Sequence, residues 1–371
     1  MKVAIVHDWL VNYGGAERVV EQMLALYPDA DIYTLVYDKK KMESHFPPEK
    51  VHTSFIQRIP MATKLYTKLL SLMPKAIESF DLSDYDLVIA SSSSCAKGVI
   101  TSPDTPYLAF IHTPMRYAWD LYFDYYKRSK FLTRFFMKRQ IPKIRLWDYV
   151  SSQRIDRIIS NSDYIARRIK KFWNRDATVI YPPVDTDRLS PNNLPPEDFY
   201  VVFSRFVPYK RIDLAISAVG QLKGKLVVIG SGSQEKMLKE MASGYKEAEI
   251  MFTGRISDDE VKAYLQRCRA LIFCAEEDFG IIPVEAQACG RPVIAYGKGG
   301  ALETVVQGKT GVFFKEQTVS SLVDAITEFE RLEKEGTFNS KQICRHASKF
   351  SAQRFREQLS KAISEAISDK Q

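Results

Sequence analysis

The sequence EEDFGIIPVEAQACGRPVIA occupies residues 276–295 and carries the clearest structural pattern in the chain. Gly280 comes directly before an apolar run of helical character, and Gly290 to Pro292 end that run ahead of a second apolar segment. A loop, a buried helix and a strand in this order are typical of an α/β protein. The backbone N–H groups at the start of such a helix are unpaired donors at the positive end of the helix dipole, so they suit a phosphate group.

Two glutamates flank this phosphate-binding position. Glu285 lies one turn into the predicted helix, where its carboxylate can accept hydrogen bonds from a neighbouring diol. Glu277 lies on the loop beside whatever group the phosphate carries, and Gly280 lets a ligand approach the backbone closely. The pattern therefore indicates a site for a nucleotide sugar. The alternative is a surface loop followed by a buried helix whose glutamates are incidental.

The run resembles the signature of the retaining glycosyltransferase family 4, whose members have the GT-B fold. The resemblance implies an α/β protein with two Rossmann-like parallel-sheet domains that face each other across a cleft. It assigns Glu277 to the sugar hydroxyls and Glu285 to the ribose. The start of the helix is expected to contact the donor nucleotide, and the residues there are Phe279, Gly280, Ile281 and Ile282.

A basic turn, FSRFVPYKRID at residues 203–213, follows an apolar strand. It resembles the family's Gly/Ser-Arg-x-x-x-x-Lys element, which places the two cations at Arg205 and Lys210. Two cations at a strand-to-helix turn can clamp a diphosphate and neutralise the charge that grows as the sugar–phosphate bond breaks. The alternative is a solvated basic turn, which is the state expected for Arg211. Ser204 departs from the family pattern, because many relatives have glycine there.

The N-terminus predicts an opening Rossmann unit, with a strand at residues 2–7, a turn that contains Gly14 and Gly15, and an amphipathic helix. The third glycine of the dinucleotide fingerprint is missing, so a dinucleotide site is not indicated. The resemblance implies that this Gly-Gly loop faces the donor diphosphate and the acceptor. Glycine at a turn is also ordinary, and the motif is weak by itself.

The segment FIHTP at residues 110–114 places His112 at the carboxyl end of a strand, the side where open α/β sheets bind ligands. The resemblance assigns His112 to the sugar pocket, in contact with the transferred sugar. His7 has a similar strand-end position and is a weaker candidate near the acceptor. A histidine that is only hydrogen-bonded at a strand end is the alternative. A further strand end is expected to border the nucleotide base, and it consists of Gly254, Arg255 and Ile256.

Apolar strands alternate with amphipathic helices along the 371 residues, which is the pattern of parallel α/β sheets. Prolines between residues 181 and 197 form a stiff linker. We expect an acceptor-side domain at residues 1–186 and a nucleotide-sugar-binding domain at residues 187–351. The resemblance adds a C-terminal helix, residues 352–371, that packs back on the first domain. Strands are predicted at residues 3–6, 32–36, 87–90, 107–111, 158–160, 200–203, 226–229, 250–253, 271–273 and 293–295.

The chain is basic, with 53 Lys and Arg against 45 Asp and Glu and a net charge of +8. Cations alternate with aromatic side chains at residues 125–145, and lysines alternate with leucines at residues 55–80. Both segments suit the headgroup zone of an anionic membrane leaflet. Core aromatics beside solvated charges are the alternative. A nucleic-acid-binding protein is a distant alternative, and because no recognition module is present we expect no nucleic-acid partner.

The expected location is cytoplasmic, peripheral on the inner face of the cell membrane. The five cysteines have no metal-like or redox spacing, and they are expected to be reduced. The chain begins directly with a core strand, so no signal peptide is predicted, and no apolar run approaches the length that spans a bilayer.

Asp-x-Asp strings occur at residues 29–31, 84–86 and 185–187, all in turn-like sequence. Because Arg205 and Lys210 can supply the countercharge of a metal ion, we expect neither a metal nor a cofactor. The predicted activity is retaining transfer of a hexose to a glycan or lipid-linked glycan. Similarity to bacterial mannosyltransferases of O-antigen or exopolysaccharide synthesis favours mannose from GDP-mannose. A UDP-hexose-dependent transferase and a sugar-nucleotide epimerase remain alternatives, and the linkage and oligomeric state stay open.

Overall fold

The computed structural model describes residues 1–192 and 194–370, apart from the side chain of residue 128. The chain divides into two units, of which unit 1 comprises Met1–Pro183 and Phe355–Gln371 and unit 2 comprises Val184–Arg354. Each limit lies three residues from the corresponding limit expected from the sequence. The last residue of the expected C-terminal helix, residue 371, lies outside the described residues.

Unit 1 is built on a parallel sheet, whose described strands are β1 Val3–His7, β2 Asp31–Thr34, β3 Val51–Thr53, β4 Leu87–Ser92, β5 Tyr107–Ile111, β6 Arg157–Ser160 and β7 Thr178–Val179. Their order across the sheet is β3-β2-β1-β4-β5-β6-β7. The central strands are continuous apolar runs because both faces of the sheet are covered. Successive side chains of β1 enter two cores, with Ala4 and Val6 in one and Val3 and Ile5 in the other.

The helices of unit 1 lie on both faces of this sheet and bury one apolar side each. In the first helix, Val19, Val20 and Met23 are fully buried. These helices are α1 Gly15–Leu26, α2 Lys39–Met42, α3 Ala62–Leu65, α4 Met73–Ile77, α5 Tyr122–Arg128, α6 Phe131–Ser152 and α7 Asp163–Trp173.

A buried ion pair joins α6 to the turn that follows β4. Lys97 Nζ lies 2.9 Å from Asp148 Oδ1, and the two side chains are 1% and 0% exposed. The indole N–H groups of Trp119 and Trp173 each donate to Asp148 Oδ2 at 2.7 Å. A buried charge without its partner destabilises the folded state, so the removal of either Lys97 or Asp148 should lower the stability of the protein.

Unit 2 has a second parallel sheet, with β8 Tyr200–Phe203, β9 Lys225–Ile229, β10 Glu249–Gly254, β11 Ala270–Phe273, β12 Val293–Tyr296 and β13 Gly311–Phe314 in the order β10-β9-β8-β11-β12-β13. Its helices are α8 Ile212–Gln221, α9 Glu235–Ser243, α10 Asp258–Arg267, α11 Ile281–Ala288, α12 Ala301–Thr304, α13 Val319–Lys334 and α14 Ser340–Ala347. The prediction of two Rossmann-like parallel-sheet domains is confirmed.

The last helix, α15 Ala352–Ser368, belongs to the core of unit 1 over most of its length. It buries Phe355, Leu359 and Ile363 in the apolar cluster that also contains Ile5 and Val19. Apolar residues four apart face the same side of a helix, so the spacing of these three positions accounts for the packing.

Candidate functional site

Unit 2 brings together a lysine and a glutamate of the predicted site. β8 and β11 are adjacent parallel strands, and residues that follow such strands gather at one edge of the sheet. Lys210 ends the 3-10 turn Pro208–Lys210 after β8, and Glu277 lies on the loop after β11. Their charged groups are in contact, and the side chains are only 11% and 21% exposed. The site therefore contains a part-buried ion pair at the sheet edge where ligands bind.

Arg205 lies in the same turn but makes a different contact. Its guanidinium donates to the Tyr209 hydroxyl at 3.2 Å, and Lys210 Nζ lies 5.3 Å from the centre of the Tyr209 ring. Tyr209 thus contacts both predicted phosphate-binding cations, although the sequence did not single it out. Arg211, which was expected to be solvated, keeps 30% of its side-chain surface exposed. Arg211 is half-buried and pairs at 3.0 Å with Asp213, which is close enough in sequence to reach it.

The loop of residues 276–280 leads into α11 without a side-chain cap. Gly280 is the N-cap residue, with φ of +92°, and no side chain of its own accepts from the first turn. The N–H groups at the start of a helix have no partner within the helix, and here Ile281 and Ile282 follow the N-cap. This N-terminus is therefore suited to an anion, as the sequence indicated.

Two glycines after β12 hold the Glu277 loop in place. The N–H of Gly300 donates to the carbonyl oxygen of Glu277 at 2.8 Å. Gly299 has φ of +66°, and a Cβ at this position would lie 2.3 Å from the same carbonyl oxygen. A Cβ on Gly300 would lie 2.2 Å from Cα of Phe279. Only glycine allows the two backbones to approach this closely, so the Gly-Gly turn positions Glu277.

The remaining predicted donor-site residues of unit 2 differ in exposure. Phe279 is 3% exposed, so a contact with a ligand would use its backbone, and Glu285 is 6% exposed. Gly254 ends β10 with φ of +71°, and its carbonyl accepts from the N–H of Gly230 at 2.9 Å. Arg255, which follows, is exposed. Ile256 is half-buried.

In unit 1, the two candidate histidines share one serine. Ser91 Oγ lies 2.8 Å from His112 Nε2 and 3.1 Å from His7 Nδ1. His7 Nδ1 also lies 3.1 Å from the Ser91 carbonyl oxygen. On its other side, His7 Nε2 lies 3.4 Å from Glu17 Oε1. Sequence reasoning assigned no role to Ser91 or Glu17, although Glu17 follows the Gly-Gly turn and Ser91 is the penultimate residue of the buried strand β4.

The pKa values of the two histidines are shifted in opposite directions. Burial opposes a charge on His7, but the hydrogen bond that its ring donates to Glu17 and the charges of Glu17 and Asp8 outweigh burial and raise the pKa of His7. Burial lowers the pKa of His112 to about 3, and the neighbouring His7 adds to this effect. His112 is therefore a neutral imidazole near neutral pH.

The Gly-Gly turn of unit 1 packs against the same cluster. Gly14 is the N-cap of α1 and Gly15 is its first residue, and a Cβ on Gly14 would lie 3.3 Å from Glu17 Oε2. Asp8, directly after β1, was not predicted as a site residue. Its buried carboxylate accepts four backbone N–H groups of residues 93–96 at 2.5–2.9 Å. Asp8 could have been identified from the sequence, because it is a charged residue that directly follows a buried strand.

The two basic segments have different surroundings. In residues 55–80, Ile56, Met73 and Ile77 are buried in the core of unit 1. Around α5 and the first half of α6, by contrast, large apolar side chains face solvent beside exposed lysines. These exposed side chains are Phe123 at 68%, Tyr125 at 49%, Phe131 at 84%, Leu132 at 68%, Phe135 at 52% and Phe136 at 55%.

Among the described residues, no helix is both long and apolar enough to cross a bilayer. In the same part of the chain, His, Cys, Asp and Glu form no cluster of three that could hold a metal ion. Each Asp-x-Asp string has at least one carboxylate in another contact. The three contacts are Asp31 with His52 at 3.2 Å, Asp86 with the N–H of Lys2 at 2.6 Å, and Asp185 with Arg188 at 3.4 Å.

Two family models match the chain. The model described as glycosyltransferase family 4 matches residues 13–188, and the model described as glycosyl transferases group 1 matches residues 185–349. The matched regions follow the division into units 1 and 2.

Among curated relatives, the GDP-mannose-dependent alpha-(1-6)-phosphatidylinositol monomannoside mannosyltransferase of Mycobacterium tuberculosis is 31% identical over 194 residues, covering 45% of this chain and 50% of that protein. The alpha-1,3/1,6-mannosyltransferase ALG2 of Dictyostelium discoideum is 23% identical over 389 residues, covering 88% of this chain and 89% of that protein. The chain spans about half the length of the first curated relatives that it matches.

Solved structures resemble the chain over its whole length. HepE of Anabaena, crystallised in complex with UDP, has a TM-score of 0.73 at 18% identity and covers 98% of this chain and 100% of that chain. This likeness concerns the fold. The two family models, which together match residues 13–349, show that the chain belongs to glycosyltransferase family 4. The parallel sheets of both units and the likeness to HepE show the GT-B fold.

Proposed function

We propose that the protein transfers a hexose from a nucleoside-diphosphate sugar to a glycan or lipid-linked glycan, with retention of anomeric configuration. The observation that carries the proposal is the contact between Lys210 and Glu277 beside the uncapped start of α11. One short segment thus offers a cation and helix N–H groups for a diphosphate and a carboxylate for sugar hydroxyls.

The ion pair gives each of its members a role. Lys210 and Glu277 neutralise each other through their contact. When a donor binds, its diphosphate replaces the carboxylate as the partner of Lys210, and Arg205 adds a second cation. Glu277 is then free to accept hydrogen bonds from the sugar. Cations and oriented N–H groups stabilise the charge that develops on the leaving diphosphate, so the reaction needs no metal ion.

Retention follows if the acceptor hydroxyl attacks from the face that the diphosphate leaves. An oxygen of the departing diphosphate takes the proton of that hydroxyl, the sugar–phosphate bond breaks and the new glycosidic bond forms. His112 contacts the transferred sugar. No carboxylate nucleophile is needed, and the mutual contact of Glu277 and Lys210 suits a hydrogen-bonding role for Glu277.

GDP-mannose is the favoured donor. Two relatives are mannosyltransferases, and the name of the mycobacterial one states that it depends on GDP-mannose. UDP-hexoses are the rival donors, because the similar structure of HepE contains UDP. A thermal-shift and hydrolysis panel of GDP- and UDP-sugars separates the two. Stabilisation and hydrolysis with a UDP-hexose only would refute the GDP-mannose assignment, and epimerised sugar nucleotide without transfer would refute the transferase assignment.

The site assignment is tested by Lys210→Ala and Glu277→Ala. Each change should reduce turnover by about 100- to 1,000-fold, the loss typical when one group that stabilises developing charge is removed. A matched control is Lys225→Ala, which removes an exposed lysine of unit 2 that lies 3.2 Å from Glu249. This control should keep the normal rate. Near-normal rates for both site variants, with folding intact by circular dichroism, would contradict the assignment.

We further propose that residues 125–145 contact an anionic membrane surface and that the protein is peripheral on the cytoplasmic face. Exposed aromatic side chains beside lysines combine burial in the headgroup zone with attraction to acidic lipids. The segment 55–80 contributes less, because much of it is core.

Vesicle co-sedimentation tests this surface. Phe131→Ser combined with Phe135→Ser should weaken binding to vesicles of phosphatidylcholine and phosphatidylglycerol by about tenfold or more, since burial of each aromatic ring contributes roughly 1.5–3 kcal/mol. Met61→Ser, at a 63% exposed position in the other segment, is the matched control and should change binding little. Equal binding to vesicles without phosphatidylglycerol, or a larger effect of Met61→Ser, would contradict the proposal.

A further inference from the structure

We infer that Ser91 holds His112 in a single tautomer, neutral and with its proton on Nδ1. We further infer that His7 and Glu17 set the direction of the hydrogen bond that Ser91 donates. Ser91, His7 and Glu17 are then positioning residues for the sugar transfer, and this functional part rests on the proposed function. The tautomer itself follows from the hydrogen-bond geometry of unit 1.

The first step concerns the proton on His7 Nδ1. This nitrogen lies 3.1 Å from the carbonyl oxygen of Ser91, and a carbonyl oxygen can only accept. His7 Nδ1 therefore carries a proton and donates it. The Ser91 hydroxyl oxygen lies at the same distance of 3.1 Å from Nδ1, so the donated hydrogen bond is shared between the two oxygens of Ser91.

The second step concerns the hydroxyl of Ser91. A serine hydroxyl has one proton to donate, and because its oxygen faces a donor on His7, the proton is directed elsewhere. His112 Nε2 lies 2.8 Å from this oxygen, which is an ordinary length for a hydrogen bond to a ring nitrogen. His112 Nε2 is therefore the acceptor and carries no proton. A neutral imidazole without a proton on Nε2 has it on Nδ1.

The third step explains why His7 keeps this orientation. His7 Nε2 faces the Glu17 carboxylate at 3.4 Å, and a carboxylate accepts. Both ring nitrogens of His7 thus face acceptors, which is the environment of an imidazolium. The raised pKa of His7, in which Glu17 and Asp8 outweigh burial, agrees with this environment. The pKa of about 3 for His112, caused by burial and then by His7, agrees with a neutral ring there.

The consequence for sugar transfer is electrostatic. As the sugar–phosphate bond breaks, positive charge develops at the anomeric carbon, and a cation beside it would oppose the reaction. A neutral His112 avoids this opposition and still offers one N–H donor to a sugar hydroxyl. Within the described residues, no hydrogen bond of His112 Nδ1 to the protein is observed, so this donor remains available to a ligand.

Nitrogen-15 NMR of the histidine-labelled full chain at neutral pH tests the tautomer. His112 should show a protonated Nδ1 and an unprotonated Nε2, and His7 should show both nitrogens protonated. Ser91→Ala should convert His112 to a mixture of tautomers and lower kcat by about tenfold or more, with donor affinity within about twofold, because a misdirected group costs rate rather than binding. Ser92→Ala is the matched control, since Ser92 is also buried on β4 but makes no side-chain contact with either histidine.

The outcomes separate the inference from the proposed function. A wild-type His112 with a proton on Nε2, or with two protons at neutral pH, overturns the tautomer assignment even if sugar is transferred. The predicted tautomer in a protein that transfers no sugar supports the assignment and removes the transferase. A tautomer change in Ser91→Ala without loss of kcat overturns the positioning role. If Ser91→Ala does not fold, the wild-type spectrum decides the tautomer. Glu17→Gln, which should remove one proton from His7, then tests the direction of the hydrogen bonds that run from His7 through Ser91 to His112.

Discussion

Replacing Gly299 with alanine should displace Glu277 without removing any functional group of the site. The new Cβ would lie 2.3 Å from the Glu277 carbonyl oxygen, and real Cβ contacts essentially never fall below 3.0 Å. The carbonyl must therefore retreat by about 0.7 Å, and a misplacement of about 1 Å can cost roughly 100-fold in rate. The N–H of Gly300 donates to the same carbonyl at 2.8 Å, so this movement also disturbs a hydrogen bond that positions the loop.

Gly308→Ala is the matched control for this change. Gly308 has φ of +69°, close to the +66° of Gly299, but a Cβ there would meet nothing within 4 Å. Both variants carry the cost of a left-handed conformation, about 1–2 kcal/mol. In a unit of this size that cost lowers the melting temperature by roughly 2–8 °C. Only Gly299→Ala adds the contact with Glu277, so the difference between the variants isolates the position of the carboxylate.

The assay is the initial rate of nucleoside-diphosphate release from the donor that the panel identifies, measured well below both melting temperatures. Gly299→Ala should be roughly 100-fold slower than Gly308→Ala, with the loss mainly in kcat. Rates within about threefold of each other, in two variants of similar secondary structure by circular dichroism, would refute the claim that the position of Glu277 controls catalysis.

Three further predictions concern charge. Lys97→Met should lower the free energy of unfolding by about 3–5 kcal/mol in urea titrations, because Asp148 remains buried without its partner, and Asp148→Asn on top of it should restore part of the loss. Since the pKa of His112 is lowered from 6.5 to about 3, the unfolded chain binds its proton first, and stability falls as pH drops below 6.5. His112→Asn should reduce this loss of stability at acidic pH, which amounts to at most about 1.4 kcal/mol per pH unit for one group. The raised pKa of His7 does not alter this pH dependence, because the stability that it contributes is fully present below pH 6.5. Donor hydrolysis should keep its full rate in excess EDTA, and strict dependence on added manganese or magnesium would contradict the role given to Arg205 and Lys210.

The strands of both sheets could be predicted where their two faces are covered. A buried parallel strand is a continuous apolar run, and all ten predicted strands occur within a few residues of their expected limits. The strands that were not predicted are β3, β7 and β13, and all three lie at a sheet edge. β3 reads VHT with two exposed residues and β7 has two residues, so neither contains an apolar run that a sequence could reveal.

Composition predicted two membrane-facing segments, whereas the structure exposes large aromatic side chains mainly in one of them. Residues 55–80 and 125–145 both mix cations with large apolar side chains. Whether such a side chain is buried depends on whether a neighbouring element covers it, and this is not encoded in the local mixture. Met73 lies in the core at 2% exposed, whereas Phe131, at the first position of α6, is 84% exposed.

The contacts of the candidate site depend on strand register, which local sequence does not contain. Motifs identified Lys210 and Glu277 separately, but their contact across 67 positions arises because β8 and β11 are neighbours. In unit 1, the register of β1 on β4 pairs His7 with Ser91, which lies 84 positions later. β5 flanks β4 on the other side and delivers His112 to the same serine. The position of Ser91 between the two histidines follows only from the side-by-side pairing of three strands. The series of hydrogen bonds that orients His112 could therefore not be derived from any one motif.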